Sequence, residues 1–308
     1  MDDLIVEVYG WCNCLLAVLH WEFCACCRLL TGQVMTSSNF CAFGRNIDFA
    51  HSFLSICLLR NAKKSQYSVW MTKLITAEEQ KRAAAEAALE YIKPGMKLGL
   101  GTGSTAEHFV RLLAQKVKSG LTLVTVATSE RTAGLARELG ITVSDLGAVR
   151  HLDVTVDGAD EIGPGLNLIK GGGGALLREK MVASASDRMI VIADGAKVVD
   201  MLGRFPLPVE IVPFAYQVTM ERIADAAAKC GCSQNLMRLR GGEGHAFRTD
   251  SGNFIADCAA ESIPDPERLA HMLQEIPGVV DHGLFISIAS LALVGNVGGV
   301  KVLELARH

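Results

Sequence analysis

Between residues 156 and 180 the chain reads VDGADEIGPGLNLIKGGGGALLREK, a short stretch that places Asp157, Asp160, Glu161, Lys170 and Glu179 around four consecutive glycines, Gly171 to Gly174. Carboxyl groups are common general acids and bases, and an ammonium stabilises negative charge that develops on oxygen. Each glycine loses more backbone freedom on ordering than any other residue, so a run of four implies that something must come close to that backbone. The glycines present main-chain N–H groups to a ligand, and Lys170 adds a fixed positive charge at the same point. VDGADE puts Asp157 at the end of an apolar strand and Asp160 three residues on, in a glycine-containing turn. Desolvation at a buried strand end raises a carboxyl pKa and poises the group as acid or base. Capping or a turn accounts for a single Asp, less well for two. Glu161 reads as solvated. Glu179 stands about one and a half turns into the helix that the glycine loop opens, where it can face back towards a ligand. No basic residue at 175 or 183 offers it a surface pair, and Arg178 and Lys180 point elsewhere on a helix.

A second motif, GTGSTA from Gly101 to Ala106, follows an apolar strand and opens a helix. Backbone N–H groups and the positive helix end then converge on one spot, which suits phosphate, and the Ser104 and Thr105 hydroxyls add donors. The same letters fit the loose dinucleotide pattern GxGxxA, which wants an acid at the end of the next strand. Thr128 and Ser129 stand there, with Glu130 one step late, and hydroxyls in place of an acid tilt the reading to a bare phosphate. A phosphate cradle, an electropositive loop, strand-end carboxylates and a helical carboxylate are what an enolisation needs: proton abstraction beside a carbonyl, with donors for the enediolate oxygens. With no cluster at metal-ligand spacing, the residues point to a metal-independent sugar-phosphate isomerase.

The elements that must position these groups follow from the surrounding pattern. The 308 residues are half hydrophobic and one-fifth charged, with a formal net charge of −3. No basic block implies a nucleic-acid partner, and no apolar run reaches the roughly 18 to 20 residues of a membrane span. Seven of ten cysteines lie in the first 57 residues, and all three tryptophans in the first 70. CACC has no second Cys or His pair at zinc spacing, Asp2, Asp3 and Glu7 do not suit a secretory signal, and the opening thirty residues do not suit a transit peptide. Residues 1–70 therefore read as an N-terminal extension outside the functional domain, unstructured or translated from an upstream start with Met71 the true one. Thr76 and Glu79 form a capping-box spacing for a helix that stops at KPG. The strands MKLGL, LTLVTVATS, ITVSDL, LDVTVDGAD and RMIVIAD alternate with helices, which predicts an α/β domain with a parallel sheet over residues 71–205. Residues 206–282 read as a small antiparallel α+β module with a hairpin turn at TDSGN, and the apolar tail 283–308 as a return to the first domain.

Taken together, GLGTGSTA, VDGADE, LIKGGGGALLREK and GRFPLPVEIVPFA, with GVVDHGLF and GGVKV near the end, resemble the type A ribose-5-phosphate isomerase family over about residues 73–305. The resemblance implies a Rossmann-like α/β domain with a smaller ferredoxin-like domain, assembled as a homodimer or homotetramer in the cytoplasm. It implies a cofactor-free interconversion of ribose 5-phosphate and ribulose 5-phosphate through an enediolate, in the non-oxidative pentose phosphate pathway. By the same resemblance Glu179 is the base that moves the proton between C1 and C2. Asp157 is the carboxylate of ring opening, with Asp160 and Lys170 as its partners and Lys170 stabilising the enediolate. Thr102, Gly103, Ser104 and Thr105, together with Gly171, Gly172 and Gly173, line the substrate site, and Lys81 and Lys197 complete the pocket. Residues 1–70 have no counterpart in the family pattern. Two alternatives stand beside this: an amino-sugar phosphate deaminase or coenzyme A transferase of the same broad fold, for which His108 and His151 lack a setting, and a non-catalytic sugar-phosphate sensor.

Overall fold

The computed structural model describes residues 76–305, so the expectations for residues 1–70 lie outside the described part. Helix α1 (Ala77–Ala88) opens on the predicted capping box: the Thr76 hydroxyl accepts from the Glu79 N–H at 3.2 Å, and the Glu79 carboxylate accepts from the Thr76 N–H at 2.9 Å. Its face of Ala84, Ala85 and Ala88 is fully buried, and a 3-10 turn (Leu89–Tyr91) ends it before Pro94. There follow β1 (Lys97–Leu100), α2 (Ser104–Lys118), β2 (Val124–Ala127), α3 (Glu130–Glu138), α4 (Leu146–Val149), β3 (Val154–Asp157), β4 (Glu161–Ile162), β5 (Leu168–Ile169), α5 (Leu176–Ser184) and β6 (Met189–Asp194). The predicted strand ITVSDL is an exception. Only a single bridge, Thr125 with Val143, forms there, because the Asp145 side chain accepts from the Gly147 N–H and turns the chain into α4.

The main sheet has the order β13-β12-β6-β3-β1-β2, where β12 (Leu291–Asn296) runs parallel to β6 and β13 (Gly299–Glu304) is an antiparallel edge. All residues of β3 and β6 are buried, as expected of strands covered on both faces and legible as unbroken apolar runs. The apolar tail thus places a parallel strand, β12, beside β6. From β1 the chain crosses to β2 on one side, then returns to β3 on the other. Such a reversal opens a crevice beyond the carboxyl ends of the strands, where α/β sheets bind ligands. GTGSTA leaves β1 and VDGADE leaves β3 at that crevice.

The remaining elements are β7 (Leu207–Ile211), α6 (Tyr216–Lys229), β8 (Leu236–Leu239), β9 (Phe254–Ala259), α7 (Pro266–Gln274) and β10 (Val279–His282). Their sheet order, β10-β7-β9-β8, antiparallel throughout, is that of a split βαββαβ, ferredoxin-like unit. It has a core of its own around Val209, Ile211, Ile223, Ala256, Leu269 and Leu273. The TDSGN turn lies just before β9, where the Glu210 carboxylate accepts from the Thr249 hydroxyl and the Asn253 amide, each at 2.9 Å. The β8–β9 connection is longer than a tight hairpin and carries Arg240 and Phe247. β11 (Leu284–Phe285) leaves β10 directly and pairs with β5, and the Lys170 N–H donates to the Gly283 carbonyl at 2.9 Å. A strand continuing out of the small sheet therefore registers the segment that leads into the glycine run. Among the described residues no helix is long and apolar enough to cross a membrane.

Candidate active site

A cleft of about 490 Å³ opens beyond the ends of β1, β3 and β6. Its walls hold Lys81, Thr102 to Thr105, Asp160, Lys170, Gly171 to Gly173, Glu179 and Lys197, so every candidate residue except Asp157 lines one space. Asp157 is wholly buried behind Lys170. Its Oδ1 accepts from the N–H of Thr102 at 3.0 Å and of Gly158 at 2.7 Å, and its Oδ2 lies 3.0 Å from the Lys170 Nζ. Gly101 makes this possible: a Cβ at that position would stand 2.1 Å from the Asp157 carboxylate and 2.5 Å from its Cα.

Lys170 is the hub. Its ammonium donates to the Gly158 carbonyl at 2.6 Å, pairs with Asp157, and stands 3.5 Å from the Glu179 Oε2 and 5.5 Å from the centre of the Phe285 ring. Burial pulls its pKa down, but the charges of Asp157 and then Glu179 outweigh this and hold it above the ordinary lysine value. Glu179 is 3% exposed, and its Oε2 accepts no hydrogen bond from the described residues. Burial pushes its carboxyl up to about 8 against the pull of Lys170, with the Asp157 and Asp160 charges adding to the rise. Burial likewise pushes Asp157 up, opposed by Lys170 and the two N–H donors. Two buried carboxyls thus share one ammonium, and the proton left over resides in this cluster.

Glu179 is turned inward because α5 is tied down on both sides of it. The Lys180 Nζ donates to the Asp281 Oδ1 and the His282 carbonyl, each at 2.6 Å, and Arg178 Nη1 pairs with the Glu130 Oε1 at 2.8 Å. The expectation that both basic neighbours point away holds. Asp160, half-buried on the cleft wall, accepts from the Gly172 N–H at 2.7 Å. At the other end of the cleft, Gly103 at φ +121 is the N-cap of α2 and supplies no side-chain cap. The hydroxyls of Ser104 and Thr105 make no hydrogen bond to described residues. Lys81 pairs with Glu78 at 2.8 Å, and Lys197 lies half-buried, 5.9 Å from the Phe205 ring centre.

One expectation is corrected. Glu161 is not solvated: it is 3% exposed, and its carboxylate accepts from the N–H groups of Gly203 at 2.7 Å and Phe205 at 2.6 Å. Two backbone donors of an irregular segment converge there, and leaving them unpaired in the interior costs about 1–3 kcal/mol each. Thr128 and Ser129 follow β2 directly. They are buried, and their hydroxyls meet that of Thr102 at 2.7 and 2.8 Å, with Thr132 at 3.1 Å, so the Thr102 hydroxyl is spent on fixing the turn.

Residues 124–299 match the sequence profile of ribose 5-phosphate isomerase A (phosphoriboisomerase A). The ribose-5-phosphate isomerase A of Parvibaculum lavamentivorans is 60% identical over 230 residues, 75% of this chain and 100% of that one. The chain belongs to the ribose-5-phosphate isomerase A family. A relative of the same name from Rhodopseudomonas palustris is 54% identical over 75% of this chain and 99% of its own. A solved D-ribose-5-phosphate isomerase in complex with phospho-erythronic acid is 40% identical, covers 74% of this chain and 99% of its own, and superposes with a TM-score of 0.69. The ribose 5-phosphate isomerase of Plasmodium falciparum is 36% identical over 75% of this chain and all of its own, with a TM-score of 0.69. Both the expected family and the expected fold are borne out.

Within this ribose-5-phosphate isomerase A chain, sequence reasoning missed three contributors. Arg204 lines the cleft without an ion pair to described residues; it stands in GRFPLP, between the two residues whose N–H groups Glu161 holds. Asp194, at the end of β6, accepts from the Ala196 N–H at 3.0 Å and so shapes the 3-10 turn that carries Lys197. Arg240 reaches the glycine loop from the small sheet. The first two sit beside quoted motifs and were within reach of the sequence. Arg240 lies some seventy residues from the loop it touches and carries no local signal.

Proposed function

We propose that the chain interconverts D-ribose 5-phosphate and D-ribulose 5-phosphate through an enediolate, with Glu179 carrying the proton between C2 and C1. The observation that carries this reading is the Glu179 carboxyl: buried, on the cleft wall, pushed up to about 8, and 3.5 Å from an ammonium that stays charged. A base works best when its pKa lies near the working pH. Starting from the aldose, the Glu179 carboxylate takes the C2 proton. The C–H electrons form the C1=C2 bond, and the aldehyde oxygen gains the negative charge beside Lys170. The O2 proton passes to O1, Glu179 returns its proton to C1, and C2 becomes the ketone.

Charge favours one orientation of the substrate. The inner end holds Asp157, Asp160 and Glu179 against Lys170 alone and has no surplus positive charge for a phosphate dianion. The outer end offers the uncapped N-terminus of α2, the Ser104 and Thr105 hydroxyls, Lys81, Lys197 and Arg204. We therefore assign phosphate to the outer end and the reacting carbons to the inner one. Asp160 takes the O1 proton of the furanose and returns it to the ring oxygen as the C1–O4 bond breaks. Asp157, which the family resemblance ties to ring opening, acts by way of Lys170, whose charge it maintains. Phospho-erythronic acid carries a carboxylate where the enediolate oxygens form, and it is expected to compete with substrate.

Three coarser properties belong to the same proposal. Residues 71–205 and 283–308 form the catalytic domain and 206–282 the small one, a division supported by the separate sheet and core of the latter. Exposed Val212, Phe214 and Val218, around the start of α6, support self-association as a homodimer or homotetramer. The free thiols of Cys230, Cys232 and Cys258, and a substrate whose charge keeps it from crossing bilayers, support a cytoplasmic location.

The test is turnover of ribose 5-phosphate by the full chain across pH. The base must be ionised, so kcat/KM is expected to rise with pH through about 8 rather than through the ordinary carboxyl range. Lys170 is held above the ordinary lysine value of 10.5, so no falling limb is expected below about pH 10. A profile already level from pH 6 contradicts the assignment of Glu179. Substrate binding without any turnover moves the sensor reading ahead.

A further inference from the structure

The glycine loop does not hold its own shape. Gly171 and Gly174 have φ of +101° and +79°, and the loop's one internal backbone bond runs from the Gly174 N–H to the Gly171 carbonyl at 2.9 Å. What fixes the two middle peptides is Arg240, just past β8 in the small sheet. Its Nη1 donates to the Gly171 carbonyl at 3.0 Å and to the Gly172 carbonyl at 3.2 Å. The guanidinium is itself held at its other edge. Nε donates to the Asp257 Oδ2 at 2.9 Å, and Nη2 donates to the second oxygen of the same carboxylate, a bidentate pair about one-fifth exposed on each side. Phe247, with its ring centre 5.9 Å from the guanidinium carbon, packs against Gly174, where a Cβ would stand 2.5 Å from the ring.

A trans peptide is planar, with its C=O and N–H pointing in opposite directions. Drawing the Gly171 carbonyl to Arg240 turns the Gly172 N–H the other way, and that N–H is found on Asp160 Oδ2 at 2.7 Å. Drawing the Gly172 carbonyl to Arg240 turns the Gly173 N–H the same way. Gly173 lines the cleft, and its N–H has no acceptor among the described residues. We propose that Arg240, locked by Asp257, is a positioning residue that aims the Gly173 N–H into the cleft as a donor to the enediolate oxygen. The small domain thereby contributes to the electrostatics of a reaction whose proton-transfer groups all lie in the other domain. The inference rests on the isomerase reading of the preceding subsection.

The test compares Arg240→Met with the unmodified full chain. A donor aimed at developing charge acts on the transition state, and losing one oxyanion donor costs about 10²–10³ in kcat; a misaimed donor retains part of its effect. The expected result is a fall in kcat of about 30-fold or more with KM within about threefold. Inhibition by phospho-erythronic acid should weaken by a similar factor, while inhibition by inorganic phosphate, which probes the outer end only, stays the same. Asp257→Asn, which keeps the guanidinium but loosens it, should show the same split to a smaller degree, and guanidinium ion added to Arg240→Met should restore part of kcat. Should Arg240→Met not fold, Arg240→Lys is read in its place; a single ammonium cannot hold both carbonyls and Asp257 at once, and the same kcat-selective loss is expected. A folded variant with wild-type kcat overturns the inference, as does a loss shared equally by phosphate inhibition. Absence of turnover by the unmodified chain would instead defeat the isomerase reading itself.

Discussion

Glu179→Gln is expected to lower kcat by about 10³-fold, within the 10²–10⁴ that a positioned general base contributes, with KM changed by no more than about threefold. The amide keeps the volume and the position on α5 but cannot accept a proton from carbon. The same substitution is expected to stabilise the fold, and the sign follows from the direction of the pKa shift. Folded Glu179 holds its proton up to about 8, far above the ordinary value of 4.5, so the folded state binds a proton that the unfolded chain has released. Stability therefore falls as pH rises from about 4.5 to 8, and a neutral amide removes that loss. Each pKa unit corresponds to about 1.4 kcal/mol, and each kcal/mol to about 2–4 °C in a domain of this size. Melting curves at pH 8 should place Glu179→Gln above wild type by at least about 3 °C, with the gap closing near pH 5. A variant that is inactive and also less stable at pH 8 would mean that Glu179 holds the fold rather than the proton.

The second large effect is expected at Lys170 and has the opposite stability sign. Lys170→Met leaves Asp157 and Glu179 facing each other without the ammonium that stands 3.0 and 3.5 Å from them. Breaking a buried pair by removing one partner costs about 3–5 kcal/mol, because a charge is left uncompensated. The melting temperature should drop by on the order of 10 °C. Loss of the charge beside the enediolate oxygen should lower kcat by about 10²–10³. Residual activity should also appear at higher pH, because Lys170 opposes the rise of the Glu179 pKa and its removal lets that pKa climb further. A residual pH profile unmoved from wild type would show that the two groups do not communicate. Two inactive variants with stability changes of opposite sign are hard to obtain from general damage to the fold.

Much of this was legible in the sequence because it is local. The capping box at Thr76, the apolar runs of β3 and β6, and the two glycine motifs at strand ends each follow from residues a few positions apart. The inward turn of Glu179 could be reasoned from helix geometry and the lack of a basic residue at 175 or 183. What failed was decided by partners distant in the chain. Glu161 looked solvated because nothing nearby announces the Gly203 and Phe205 N–H groups that bury it. The use of the Thr128 and Ser129 hydroxyls by Thr102, which the sheet brings alongside, likewise has no local signal. The burial of Asp157 against the Lys170 ammonium, 3.0 Å away, also joins residues at the ends of two different strands and has no local signal. Arg240 was invisible for the same reason: its importance is a contact across seventy residues, not a pattern.

The claim on which all of this depends is that one carboxylate, Glu179, moves the proton between C2 and C1. The most direct measurement is turnover of ribose 5-phosphate deuterated at C2, in ordinary water, with the label located in ribulose 5-phosphate by NMR at low conversion. Transfer by one base at the inner end of the cleft predicts a primary isotope effect, with deuterium carried to C1 and any remainder lost to water, and the whole reaction suppressed in Glu179→Gln. The same labelling at an undiminished rate in Glu179→Gln, or turnover with no primary isotope effect in single-turnover measurements of the C–H step, would contradict it.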